Sequence, residues 1–119
     1  MRLEMAPESR AEQIIRLAAL SLVSEREGDI HAIALTGELD LANAPDLDRE
    51  LRRVEASDAE VILVDLWGVS FMDSSGMKVL VTAAARCRAR NRLVLQCAPP
   101  GVLRVLRLAG VADVLPLAG

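Results

Sequence analysis

Asp73-Ser74-Ser75-Gly76 is the stretch of this 119-residue chain whose residue types and spacing best support chemistry. It places two adjacent hydroxyls after a carboxylate, downstream of an apolar strand-like run and directly before a helical pattern. A serine at a helix start can act as a cap, its Oγ accepting a backbone amide, with Gly76 as a permissive early-turn residue. It can also accept a phosphoryl group, which adds about −1.5 to −2 charges. Capping accounts for one serine. It does not account for the second serine, the preceding acid and the glycine together. Nor does it account for Trp67 and Phe71, the only aromatic residues, both flanking this turn.

Other chemistries lack their parts. The one histidine, His31, sits at a strand position with no serine or cysteine nucleophile placed beside it by sequence, and reads as a core-edge or surface residue. No P-loop, GxGxxG or metal-ligand cluster occurs, so neither a metal nor a cofactor is expected. Asp65 and Asp73 both fall near strand ends, where acids commonly serve as caps rather than as a catalytic pair. A nucleotide site would need convergent phosphate donors, and only the helix start at Ser74 offers any. The sequence therefore points away from an enzyme.

Composition narrows the class. Hydrophobic residues make up 52% and charged residues 26%, as in a globular domain, and the length suits a single one. The formal net charge is −3 and basic residues alternate with acids, as in Asp48-Arg49-Glu50, so no basic surface for nucleic acid is expected. Cys87 and Cys97 match no zinc or CxxC spacing. Glu4, Glu8 and Glu12 interrupt what a signal peptide would need, and no apolar run nears the ~18–20 residues of a membrane span. The expectation is a cytoplasmic protein with reduced thiols and no membrane span.

The elements that would position the serines can be read from periodicity. Residues 1–17 read as an N-terminal extension and 18–119 as the domain proper. Ser9-Arg10-Ala11-Glu12 fits a capping box and predicts a short helix to about Leu17, unless the segment runs straight into the first strand. Leu20–Glu25 and Ile30–Leu35 predict an antiparallel hairpin around Gly28, with His31, Ile33 and Leu35 on one face. Gly37 should end the second strand, leaving Glu38-Leu39-Asp40 as a loop. Asn43-Ala44-Pro45 starts a helix striped by Leu47, Leu51 and Val54. Val61–Val64 is a buried strand, and Ser74 to about Arg90 a second helix striped by Leu80, Ala84 and Cys87. Leu93–Leu95 is a further strand; Pro99-Pro100-Gly101 leads a third helix lined by Leu103, Leu106 and Ala109; Val111–Leu115 is a last strand. The order β-β-α-β-α-β-α-β predicts an α/β fold. Its sheet should be mixed and mostly parallel, with an antiparallel N-terminal hairpin and helices mainly on one face.

Leu35-Thr36-Gly37-Glu38-Leu39-Asp40, followed by Val69-Ser70-Phe71-Met72-Asp73-Ser74-Ser75-Gly76, resembles the bacterial anti-sigma factor antagonists of the STAS (sulfate transporter and anti-sigma factor antagonist) family. The similarity runs from about Leu20 to Leu115, including the Pro-led third helix and Leu108-Ala109-Gly110. The resemblance implies a partner-switching cycle. The bare protein binds a kinase-type anti-sigma factor and frees a sigma factor, the kinase phosphorylates the first serine, and a serine phosphatase resets it. That serine matches Ser74, with Ser75 next in line. By the same match Asp40, Asp73, Ser75 and Gly76 fall on the partner surface, Gly76 at a conformationally permissive position and Met77 adjacent and exposed. Trp67 is either a partner-contact anchor or a cover for a hydrophobic edge.

One departure stands out. The family usually ends with a further helix, and here the sequence stops soon after Val114; either that helix is absent or the segment from Ser9 takes its place. The same fold also serves as a stressosome scaffold or as a soluble subunit of lipid or anion transport complexes. These remain the alternative use, and the identity of the partner discriminates between them.

Overall fold

Period-2 and period-3.6 apolar patterns assemble into one sheet with helices on one side in a computed structural model that describes residues 10–16 and 19–118. The strands are β1 (Arg10–Arg16), β2 (Leu20–Glu27), β3 (Ile30–Leu39), β4 (Val61–Met72), β5 (Leu93–Gln96) and β6 (Leu117–Ala118). The helices are α1 (Ala44–Glu55), α2 (Ser74–Cys87) and α3 (Pro100–Leu108). The strands lie in chain order across the sheet; β1-β2-β3 pair antiparallel and β3-β4-β5-β6 parallel.

Leu22, Ile33, Leu35, Ile62, Val64 and Leu95 of the strands share one core with Leu47, Leu51, Leu80, Val102 and Leu106 of the helices. Their strand neighbours Val23, Ala32, Ala34, Leu63 and Val94 point the other way and stay half-exposed. That alternation is why the helices occupy a single face.

Several expectations are corrected. Residues 10–16 form an edge strand, not the helix begun by a capping box at Ser9, because pairing with Ser21–Arg26 of β2 satisfies their backbone. Ser9 and Leu17 lie outside the described residues. β3 does not stop at Gly37 but runs to Leu39, so Glu38-Leu39 is strand rather than loop, and β4 does not end at Val64 but continues to Met72. Gly37 makes the longer pairing possible. Its φ of +111° is a left-handed value, and a Cβ there would lie 2.2 Å from the carbonyl oxygen of Ala19, which accepts the Glu38 amide. Helix α2 ends at Cys87 and is followed by a single 3₁₀ turn over Arg88–Arg90. The buried stripe of α3 is Val102 and Leu106, whereas Ala109 is exposed. Residues 112–114 form a 3₁₀ turn, and the last strand is displaced to Leu117–Ala118.

Two buried polar groups hold the layers together. Arg92, at the start of β5, donates to the carbonyls of Glu55, Ser57 and Ala59 at 2.7–3.1 Å, satisfying acceptors where α1 ends and the chain turns into β4. Ser24, His31 and Glu50 form the second. His31 is 2% exposed, with Nε2 2.6 Å from the Ser24 hydroxyl. Glu50, 4% exposed, takes hydrogen bonds from Ser24 and Arg53. An ionised carboxylate can only accept, so the Ser24 hydroxyl donates to it and receives a proton-bearing Nε2 from His31. Burial pushes the Glu50 carboxyl up. The hydrogen bonds from Arg53 and Ser24 and the charges of Arg53 and His31 outweigh it, and the carboxyl lies below its ordinary value.

Replacing Arg92 with Met should cost about 2–4 kcal/mol in urea denaturation, since it leaves carbonyls unpaired at a buried helix end. The Glu50 carboxyl is depressed in the folded state, so its contribution is present above the unfolded value of 4.5 and lost as pH falls through the lower folded one. Glu50→Gln should therefore cost about 1–2 kcal/mol at pH 7, and that difference should shrink when the denaturation is repeated near pH 3.

Candidate functional site

β3 and β4 run parallel and end together, with Leu39 paired to Met72. Each strand then delivers a carboxylate, Asp40 and Asp73, to the same end of the sheet, just before α1 and α2. Asp40 builds the first turn: its carbonyl accepts the amides of Asn43 and Ala44, and its carboxylate accepts the Ala42 amide at 3.0 Å. Asn43 occupies the cap position of α1 but makes no side-chain cap. Its amide group instead ties Asp40 N to the Glu38 carbonyl, at 2.9 Å on each side.

Asp73, not Ser74, is the N-cap of α2. Its Oδ1 accepts the amides of Ser75 at 2.8 Å and Gly76 at 3.1 Å. Its Oδ2 accepts the Leu41 amide at 3.1 Å. One carboxylate therefore closes the start of α2 and fixes the turn ahead of α1. A residue with an extended backbone and a short acceptor side chain is the normal solution at this position, and Asp73 has a ψ of −175°. The expected serine cap is displaced because the acid reaches both amides first. Ser74 is left as the first helical residue, exposed, with its hydroxyl making no hydrogen bond among the described residues.

The remaining predicted residues fall on both sides of this point. Ser75 is half-buried and lines a groove of about 470 Å³ between α1 and α2, together with Leu41, Pro45, Asp48, Lys78 and Val79. Met77 is half-buried and packs on the core, a correction to its expected exposure. Its outer part lines a second groove, about 270 Å³, with Ser74, Lys78, Val81, Ala109 and Val111. Gly76 is buried in the first turn of α2, and its role is space rather than backbone freedom. A Cβ there would stand 2.6 Å from Leu39 Cγ and 3.1 Å from Met72 Cγ. The missing side chain is what lets α2 rest on the strand ends.

Trp67 is not part of the cluster. It lies upstream on β4, 72% exposed, its amide held by the Asp65 carboxylate at 3.0 Å, and its neighbour Leu66 points into the core. Two exposed apolar residues lie nearer the serine, Phe71, noted in the sequence beside the turn though not as a contact residue, and Leu41, which was not singled out. Leu41, 72% exposed, sits in the turn that Asp73 pins, and Phe71, half-exposed, immediately precedes Met72. Phe71 had a signal, its position beside the turn. Leu41 had none, since Leu39 and Leu41 flank Asp40 alike and only the fold buries one of them. Among the described residues no group of three or more His, Cys, Asp or Glu side chains is placed to hold a metal, and no helix is long and apolar enough to cross a membrane.

Replacing Gly76 with Ala should cost about 1–3 kcal/mol, because Leu39 and Met72 must move to admit one methyl group. The same variant should weaken the amide protection of Ser75 and Gly76 in hydrogen exchange more than that of the strands.

Comparison with known proteins identifies the family. Residues 21–118 match the family model of the STAS domain. The chain is 31% identical over 96 residues to the anti-sigma-B factor antagonist of Listeria monocytogenes, spanning 80% of this chain and 84% of that protein. Among solved structures, an anti-sigma factor antagonist from Mycobacterium paratuberculosis superposes with a TM-score of 0.75 at 22% identity, over 96% of this chain and 89% of the other. The anti-sigma factor antagonist SpoIIAA in its unphosphorylated form gives 0.67 at 23% identity, over 82% and 88%. SpoIIAA of Bacillus in its phosphorylated form gives 0.63 at 22%, over 82% and 91%. A STAS domain filling nearly the whole described chain, with a sequence relative of that kind, makes this protein a member of the STAS-domain anti-sigma factor antagonist family.

Proposed function

We propose that this protein is a phospho-switched antagonist without catalytic activity of its own. In its bare form it docks through the α2 end of the domain onto a kinase-type anti-sigma factor and so releases a sigma factor. Phosphorylation of Ser74 ends the docking, and a serine phosphatase restores it. The observation that carries this reading is the division of labour at the start of α2: Asp73 holds the helix, and the Ser74 hydroxyl is exposed and uncommitted. SpoIIAA, similar in fold, exists in unphosphorylated and phosphorylated forms.

The chemistry is an ordinary phosphoryl transfer. The Ser74 Oγ forms a bond to the γ-phosphorus of a nucleoside triphosphate held by the kinase, and the bond to the nucleoside diphosphate breaks. The hydroxyl proton passes to a base on the kinase. Hydrolysis by the phosphatase returns serine and inorganic phosphate. Ser75 is the less suitable acceptor, being half-buried against the α1–α2 groove.

Electrostatics makes the switch effective without a change of fold. The surface already carries Asp40 and Asp73, and a dianion beside them repels any acidic group the partner presents. At 5 Å and an effective dielectric near 20 each pair of unit like charges costs roughly 3 kcal/mol, more than a hundredfold in affinity before salt screening. Leu41, in the turn that Asp73 pins, and Phe71, three residues before Ser74, supply exposed apolar area for the bare form to bury.

Calorimetric titration against the cognate anti-sigma factor tests the reading. Ser74→Ala should bind as wild type does and escape phosphorylation. Ser74→Asp should keep its denaturation midpoint but bind at least tenfold more weakly. Wild-type affinity for Ser74→Asp, or continued phosphorylation of Ser74→Ala, would count against Ser74 as the switch.

A further inference from the structure

In an isolated helix a phosphate on the first residue would turn back onto the free amides of the first turn. In this chain three of those amides are already engaged. Asp73 Oδ1 holds Ser75 N and Gly76 N, and the Asp73 carbonyl accepts Met77 N at 3.1 Å. The Asp73 carboxylate is itself negative, so a phosphate competing for the same donors meets a like charge. A cation further along the helix offers compensation without that competition.

Lys78 lies four residues on, which places it one turn along on the same side of α2 as Ser74. Both residues are exposed, and both line the groove between α2 and the chain following α3. Lys78 is the one charged residue among those lining that groove. Among the described residues its ammonium forms no ion pair with a carboxylate, in contrast to Arg49, Arg52, Arg53 and Arg86, which are all paired. An anion four residues N-terminal to a lysine is also the more favourable order for such a pair on a helix. The other basic residue near the serines, Arg52 across the α1–α2 groove, is held by Asp48 at 3.0 Å.

We propose that Lys78 is the internal counter-charge of the phosphorylated state, a positioning residue whose ammonium swings onto the phosphate of Ser74 and draws it along the α2 surface. The pairing keeps the dianion away from Asp73 and leaves the Asp73–Leu41 link intact. This rests on Ser74 being the modified residue, and the experiment separates the two claims by installing phosphoserine at position 74 during translation, without any kinase.

The phosphate's second ionisation is followed by phosphorus NMR as a function of pH in the full chain and in its Lys78→Met and Lys78→Arg variants. The second pKa of a phosphoserine is about 6. Removing a neighbouring cation disfavours the dianion, so Lys78→Met should raise that value by about 0.3 of a pH unit or more at low salt, and Lys78→Arg should restore it. The difference should collapse in 1 M salt, where the Debye length is about 3 Å. A smaller shift in Lys78→Met, or one that persists unchanged in 1 M salt, overturns the proposal. Either result leaves the role of Ser74 to be judged separately by the partner titration, and a failure of that titration would leave the Lys78 measurement valid.

Discussion

The Asp73 carboxylate is the constraint on which the functional end of this molecule depends. Helix α2 begins, as any α-helix does, with backbone amides that have no intrahelical acceptor, and the residue before it is extended. A strand arriving from β4 must therefore supply an acceptor at once. Asp73 does so with one oxygen and uses the other to hold Leu41 N, 32 residues away in sequence. Two segments that each carry exposed groups are locked together by one side chain. The Leu39–Met72 pairing beneath them and the absent side chain of Gly76 set the distance across which the carboxylate reaches. Without that close approach the Asp73 oxygens could not serve both loops.

Much of this architecture was legible because it follows short-range periodicity. The stripes Leu47–Leu51–Val54 and Leu80–Ala84–Cys87 are buried as their spacing requires. In β3 the shared face expected for His31, Ile33 and Leu35 exists, and it is the buried one. The errors share a cause: in each, a long-range contact overrules a local preference. Ser9-Arg10-Ala11-Glu12 looks like a helix start, yet residues 10–16 find β2 as a neighbour, and strand pairing satisfies their backbone. Gly37 looks like a stop because glycine is poor in strands. Here it marks the place where Ala19 approaches too closely for any side chain. Nothing in a one-dimensional pattern announces such an approach.

Buried polar groups were the least legible part. His31 read as a residue without consequence, yet it is enclosed with Ser24 and Glu50, which come from two other elements. Arg92 is one of four arginines between positions 86 and 92 and is indistinguishable by type from the exposed Arg88 and Arg90. Only the fold shows that its guanidinium is enclosed by the carbonyls leaving α1. Such groups confer direction rather than simple adhesion. Apolar contacts between α1 and the sheet would tolerate a slide by one turn, whereas the Arg92 fork and the Glu50 carboxylate each fit one register.

The displaced cap also bears on how a phosphorylation switch can be built at all. Had Ser74 been the cap, its hydroxyl would have been engaged with an amide, and modifying it would have removed a helix-stabilising bond along with adding charge. Such a cap is worth about 1 kcal/mol, so binding and folding would have been perturbed together. With Asp73 as the cap, the group that holds the helix and the group proposed to be modified are adjacent but chemically separate. The cost of the phosphate then falls on the surface presented to a partner, and the helix is spared. Since Asp73 holds Ser75 N and Gly76 N, two amides that could otherwise help cradle a phosphate, the proposed pairing with Lys78 gives the dianion a partner that does not compete with the cap.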